Sequence, residues 1–248
     1  MDRRTFLLAL ASTACAPHLA RSVPASSERV PTPRQVEGPY YPPPAMRTRR
    51  FPGDLDADLT RVGEVEAEGV RLALLGRVRG LDGHPAPGVG VEIWQTCHRG
   101  RYLHPMDDWG SEIPKDPGFA YYGATKADAQ GRFAFLTVMP RRYPSGAQRE
   151  WWRPPHVHVK VTDGKKELLT TQLYFDDPTD PDNSWKHRAV QEVDRVLGSA
   201  PLAGRHRLIL RLKPIEPGSD AAKMAARDTR WGVARAGTAD IVLGDSSG

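Results

Sequence analysis

Two histidines one residue apart, His156 and His158, stand in the run Arg153-Pro154-Pro155-His156-Val157-His158-Val159-Lys160-Val161. In an extended strand, residues two apart project to the same face, so the pair presents two imidazoles side by side. That is a chelate suited to a borderline or hard transition metal, and Pro154 and Pro155 stiffen the approach to it. Alone, the pattern fits two ordinary surface histidines as well. Two other segments, Gly100-Arg101-Tyr102-Leu103-His104 and Met139-Pro140-Arg141-Arg142-Tyr143-Pro144, each place a tyrosine in a long loop that follows a strand-like run. Taken singly, each tyrosine reads as a packed aromatic with a hydrogen-bonded hydroxyl. His98 and His104 lack a matched spacing and read as structural.

The elements that must position these residues are strands. Apolar or alternating runs cover 71–79, 89–94, 132–138, 156–161, 170–175 and 207–212, with turn signals such as Asp82-Gly83 and Asp163-Gly164 near their ends. Residues 186–197 carry apolar side chains at helical spacing. The long loops at 97–125 and 139–155 fit functional loops on a rigid scaffold, and Trp151 and Trp152 are expected to pack beneath the second. The 248 residues include 23 Gly and 23 Pro, a load that disfavours helical bundles and suits an all-β domain with many turns. A net charge of +5 with acids interspersed throughout describes a mildly basic surface and argues against a nucleic-acid partner. Cys15 and Cys97 are too few for a disulfide scaffold.

At the N-terminus, Arg3 and Arg4 directly precede an apolar run over 6–16. The run is short for a spanning helix and reads as an export signal of the twin-arginine type, which implies an exported protein. Ser12-Thr13-Ala14-Cys15 resembles a lipoprotein box, so lipid on Cys15 would be the route to a membrane. The expected organisation is a signal over 1–20, an extended arm over 21–65, a β domain over 66–215 and a loosely held tail over 216–248.

From Gln35-Val36-Glu37-Gly38-Pro39-Tyr40-Tyr41 to about Leu212 the chain resembles the intradiol ring-cleaving dioxygenases, nearest to protocatechuate dioxygenase subunits. The segments that carry the resemblance are Pro87-Gly88-Val89-Gly90-Val91-Glu92-Ile93-Trp94-Gln95, Gly100-Arg101-Tyr102, residues 128–133, Tyr143-Pro144 and residues 153–161. The fold it implies is a β-sandwich of mostly antiparallel strands, with long active-site loops and one short helix. It implies one Fe(III) per chain bound by Tyr102, Tyr143, His156 and His158, and cleavage of a catechol-type aromatic by O2. The bond broken joins the two hydroxyl-bearing carbons, and the product is a cis,cis-muconate-type diacid. The chemistry is consistent: phenolate is a hard anionic ligand, and only a strong cation brings a phenol of pKa about 10 to phenolate at neutral pH. The charges of a ferric ion, two phenolates and one hydroxide cancel, and a catechol dianion can replace hydroxide and one phenolate without changing that neutrality.

The resemblance also assigns Tyr143 as the ligand released on substrate binding, Arg153 as a catalytic and substrate-facing guanidinium, and Gln172 as a catalytic polar residue. Gly38, Pro39 and Tyr40 are implied as substrate-binding. Ser145 stands where protocatechuate-type enzymes often carry an aromatic residue, which implies a wider pocket and keeps hydroxyquinol or a bulkier catechol open as substrate. Because protocatechuate enzymes pair two related subunits, the partner would be a related chain or a second copy. The competing reading is a transthyretin-like β-sandwich that binds aromatics or sugars without turnover. A zinc hydrolase is disfavoured, since no third histidine or carboxylate stands at a usual spacing from His156 and His158.

Overall fold

The structure is a computed structural model, and it describes residues 30–44, 47, 57–146, 148–176, 194–219, 221–222 and 235–244. The strands in chain order are β1 (Arg61–Val62), β2 (Val65–Glu66), β3 (Arg71–Gly80), β4 (Gly90–Trp94), β5 (Tyr122–Lys126) and β6 (Arg132–Val138). They continue with β7 (Tyr143–Ser145), β8 (Trp151–Arg153), β9 (His156–Asp163), β10 (Lys166–Asp176), β11 (Ile209–Arg211) and β12 (Arg235–Leu243). Two short helices, α1 (Arg195–Ser199) and α2 (Leu202–Arg205), lie between β10 and β11. Among the described residues no helix is long and apolar enough to cross a membrane.

The chain is thus all-β in class. One sheet has the order β11-β10-β9-β4-β5 and another the order β12-β3-β6, with small hairpins β1-β2 and β7-β8 beside them. Pairing is mostly antiparallel; β10-β11 and β12-β3 run parallel. The apolar alternation explains why these segments are strands. Val157, Val159 and Val161 of β9, Val91 and Ile93 of β4, and Leu72, Leu74, Phe133 and Phe135 of β3 and β6 all enter one buried cluster. Both larger sheets therefore face the same core, whose burial is the main term favouring the fold.

His156, His158 and Lys160 alternate with those valines and so occupy the opposite face of the five-stranded sheet. That face is covered as well. The arm first runs along β10, with Gln35 N donating to Thr170 O at 2.9 Å and Thr171 Oγ1, on the valine side, donating to Pro33 O at 2.7 Å. Further along, Lys160 pairs with Glu37, its ammonium lies 3.8 Å from the centre of the Tyr41 ring, and the Tyr41 hydroxyl donates to Glu92 at 2.6 Å.

Several expectations change. The tail is not loose throughout: β12 pairs with β3 from Arg235↔Leu72 to Leu243↔Gly80 and buries Ala239, Ile241 and Val242. A parallel partner so distant in sequence leaves no local hairpin signal. The long loops contain β5, β7 and β8, short strands with no apolar alternation. The run 207–212 is a 3₁₀ turn, His206–Leu208, followed by only three strand residues. Of the helix expected over 186–197, the part before 194 lies outside the described residues, as does the expected export signal with Cys15. Trp152 is not packed beneath its loop; it is 48% exposed, with the Arg142 guanidinium 5.2 Å from its ring centre.

Candidate metal centre

Register assembles the site. Across β4, β9 and β10, Trp94 stands opposite His158 and His158 opposite Gln172; one step along, His156 stands opposite Tyr174. Directly opposed residues share a face, so the histidine pair is flanked by an indole, an amide and a phenol. In the β7-β8 hairpin Tyr143 stands opposite Arg153, which ties the second tyrosine to the guanidinium just before the histidines.

Tyr102 arrives on a loop held from within. Arg101 Nε donates to Asp107 Oδ1 at 3.0 Å and its Nη1 to Ile113 O at 2.8 Å, while the Tyr102 amide donates to Asp107 Oδ2. Gly100 brings this loop against the other: its φ is +80°, and a Cβ there would sit 2.8 Å from the Arg142 carbonyl oxygen. Only glycine meets both demands without strain.

The donors converge. His158 Nε2 lies 3.1 Å from the Tyr102 hydroxyl and 3.2 Å from His156 Nε2, which is 3.5 Å from that hydroxyl. Neighbouring ligands about 2.1 Å from one ion stand roughly 3 Å apart. His156 Nδ1 is 2.7 Å from Pro154 O. A carbonyl only accepts, so Nδ1 carries the hydrogen and Nε2 presents its lone pair to the cluster. The Tyr143 ring stands edge-on to Tyr102 at 5.3 Å and is 5.6 Å from His156. All four side chains are at most 4% exposed. A cation at this locus satisfies lone pairs that solvent does not reach, so the donor set fits a metal of the imidazole- and phenolate-binding kind. Among the described residues, no group of three or more His, Cys, Asp and Glu is placed to hold one; the two phenols complete this set.

Electrostatics point the same way. Burial lowers the pKa of both histidines well below the ordinary value, and the Arg153 charge adds to the effect. Burial raises Tyr102 well above 10, helped by Tyr143. Burial raises Tyr143 too, while Arg153 and a hydrogen bond from Tyr102 pull it back. Without a strong cation the site therefore favours neutral imidazoles and protonated phenols. Burial opposes the charge on Arg153, but Tyr143, Tyr174 and Asp194 outweigh it and hold the guanidinium protonated.

The remaining expected residues also gather here. Gln172 Oε1 accepts from Arg153 Nη2 at 2.5 Å, and Gln172 Nε2 donates to Val36 O at 2.9 Å. Tyr40 stacks on Tyr102 at 4.5 Å. A Cβ on Gly38 would lie 3.5 Å from His158 Cε1, and Pro39 is exposed in the same turn. Three residues escaped the sequence reading. Trp94 stacks on His158 at 4.7 Å. The Tyr174 hydroxyl accepts from Arg153 at 3.2 Å, and Asp194 accepts from it at 2.7 Å. Trp94 and Tyr174 fall on the site side of their alternating strands, which is the one signal that could have found them; Asp194 has none.

The fold and this donor set define a class. The family model described as Dioxygenase matches residues 36–217, and the chain belongs to that family. Among characterised proteins it is similar to the protocatechuate 3,4-dioxygenase beta chain of Burkholderia cepacia, 38% identical over 162 residues, 64% of each chain. It is also similar to a chlorocatechol 1,2-dioxygenase of Pseudomonas sp. strain P51, 39% identical over 116 residues, 42% of this chain and 43% of that one. The matched stretch thus spans less than two thirds of these relatives. Among solved structures, the dioxygenase domain of a dioxygenase carbohydrate-binding protein fusion from Streptomyces sp. SirexAA-E superposes with a TM-score of 0.52 at 28% identity, covering 87% of this chain and 99% of that one. Catechol 1,2-dioxygenase from Pseudomonas arvilla C-1 gives 0.55 at 25% identity, covering 88% and 63%.

Proposed function

We propose that this protein is a non-haem Fe(III) intradiol dioxygenase that opens a catechol-type ring between its two hydroxyl-bearing carbons. The observation that carries the reading is the buried convergence of Tyr102, His156 and His158 on one locus, with Tyr143 and the charged Arg153 at its edge. Tyr102, Tyr143, His156 and His158 would hold the ion. A ferric ion held there would supply Lewis-acid chemistry that makes a catechol ring reactive toward O2.

The chain supplies the rest. With iron bound, Tyr143 would be a phenolate, and its oxygen, interacting with Tyr102 and Arg153, would take up one catechol proton and become a neutral phenol. The Arg153 guanidinium, held on two sides, faces negative charge that grows on the ring during O2 attack and stabilises it in a site of low dielectric. Tyr40 stacked on Tyr102 and Trp94 stacked on His158 keep water from the donors. Gly38, at a φ of +76°, supplies the left-handed backbone with which the arm passes His158.

Further parts of this reading rest on the fold, the relatives and the sequence. The two larger sheets are the layers of a β-sandwich. The relative named as a beta chain supports assembly with a related chain or a second copy. The arginine pair at 3–4, read as an export signal, is what supports an exported protein.

Incubation of the iron-loaded protein with catechol and with protocatechuate under ¹⁸O2 tests the reaction. The expected product is a ring-opened diacid carrying both labelled oxygens, read by mass spectrometry. A semialdehyde from cleavage beside the diol, or no ring-opened product from any catechol, would remove the assignment.

A further inference from the structure

Arg153 is 5% exposed, and a charge at that depth needs a partner. The carboxylate that supplies one is Asp194, whose side chain is fully buried. Arg153 Nε donates to Asp194 Oδ2 at 2.7 Å. The other oxygen of the same carboxylate, Oδ1, accepts from Leu197 N at 2.7 Å and caps α1. On the far side of the guanidinium, Nη2 donates to Gln172 Oε1 at 2.5 Å and to the Tyr174 hydroxyl at 3.2 Å. These three bonds engage Nε and Nη2, fix the plane of the guanidinium, and leave Nη1 as the edge they do not use. A carboxylate committed at both oxygens cannot rotate without giving up either the helix cap or the ion pair, so α1 and the β7-β8 hairpin meet at one rigid joint.

We propose that Asp194 is a positioning residue for ring cleavage, holding the Arg153 guanidinium in a single orientation beside Tyr143 without touching the substrate itself. The proposal rests on the ring-cleaving reading above. A guanidinium free to turn would follow charge wherever it lies and stabilise ground and transition states alike; a fixed one favours the state in which charge develops on the ring.

The test compares wild type with iron-loaded Asp194→Asn by steady-state kinetics, metal content and visible spectrum. In parallel, thermal unfolding is measured on metal-free Arg153→Gln, Asp194→Asn and the double variant. Asn caps helices about as well as Asp, so Asp194→Asn keeps α1 and removes the charged hold on Arg153. The expectation is a kcat lower by roughly 10–100-fold, the usual cost of losing a group that orients a site residue. KM stays within about threefold, because substrate binding does not use the joint. Metal content and spectrum match wild type. Without metal, the double variant should unfold near the temperature of the less stable single variant, since the two side chains form one interaction.

A wild-type kcat in Asp194→Asn would reduce Asp194 to a helix cap. Loss of iron or of the visible band would make it a scaffold for the ligands, and additive losses in unfolding temperature would show that the pair is uncoupled. Each of these overturns the proposal. If wild type itself opens no catechol ring, the reaction assignment falls instead, a result the unfolding cycle distinguishes because it needs no metal.

Discussion

At the residue scale, the site depends on how each donor is prepared by what lies behind it. The His156 ring is turned by the Pro154 carbonyl, and His158 is clamped by the face of Trp94. The Tyr102 amide is anchored by Asp107. His158→Ala removes a nitrogen from the centre of the cluster, and purified protein should retain at least tenfold less iron by metal analysis, a loss at least as large as that from removing an outer partner of a ligand. Tyr143→Phe should keep most of its iron but lose substrate-driven ligand exchange, read as an absent spectral change when catechol is added without O2. Unchanged iron in the first variant, or an unchanged response in the second, would contradict the roles given. The ligand residues were legible because an HxH pair in a strand has a fixed geometry and the two tyrosines sit in segments resembling a known family. Asp194 and Tyr174 were not: they meet Arg153 from 41 and 21 residues away, and nothing in local spacing marks a buried side-chain hydrogen bond.

At the element scale, the tyrosine loops are brought together by backbone contact as much as by side chains. Gly100 stands against the Arg142 carbonyl, and Thr96 Oγ1 donates to Arg141 O at 3.1 Å. Gly100→Ala should destabilise the fold by about 1–3 kcal/mol, the cost of a left-handed non-glycine residue under crowding. It should also lower iron retention by moving Tyr102 away from Tyr143. Thermal unfolding and metal content check both; a variant that retains wild-type stability and iron would show that the contact is slack. Strands β3, β4, β6, β9 and β10 were readable because their apolar residues alternate or run together. β5, with the sequence Tyr122-Gly123-Ala124-Thr125-Lys126, carries no such rhythm and is a strand because β4 pairs along its length. β12 was hidden for a related reason: its polar and glycine residues disguise the burial of Ala239 and Ile241, and its partner is the distant β3.

At the scale of the whole molecule, the five-stranded sheet is buried on both faces. Valines fill the core on one side; histidines, lysine and glutamate meet the arm on the other. Alternation such as that of β4 fits a strand with one face exposed, and here the arm covers that face by bringing Gly38, Tyr40 and Tyr41 onto the sheet. The arginine pair at 3–4 is proposed to mark export by the twin-arginine route. A precursor with Arg3→Lys and Arg4→Lys should therefore remain in the cytoplasm of a bacterial host, active and uncleaved. Unimpaired export of that variant would argue against the twin-arginine route.

The central claim is that two phenols and two imidazoles share one ferric ion, and visible spectroscopy of the purified iron protein tests it most directly. A phenolate-to-iron charge-transfer band should colour the protein, and anaerobic catechol should shift that band as Tyr143 is released. A protein that holds stoichiometric iron yet stays colourless would place Tyr102 and Tyr143 outside the metal's coordination sphere and contradict the account.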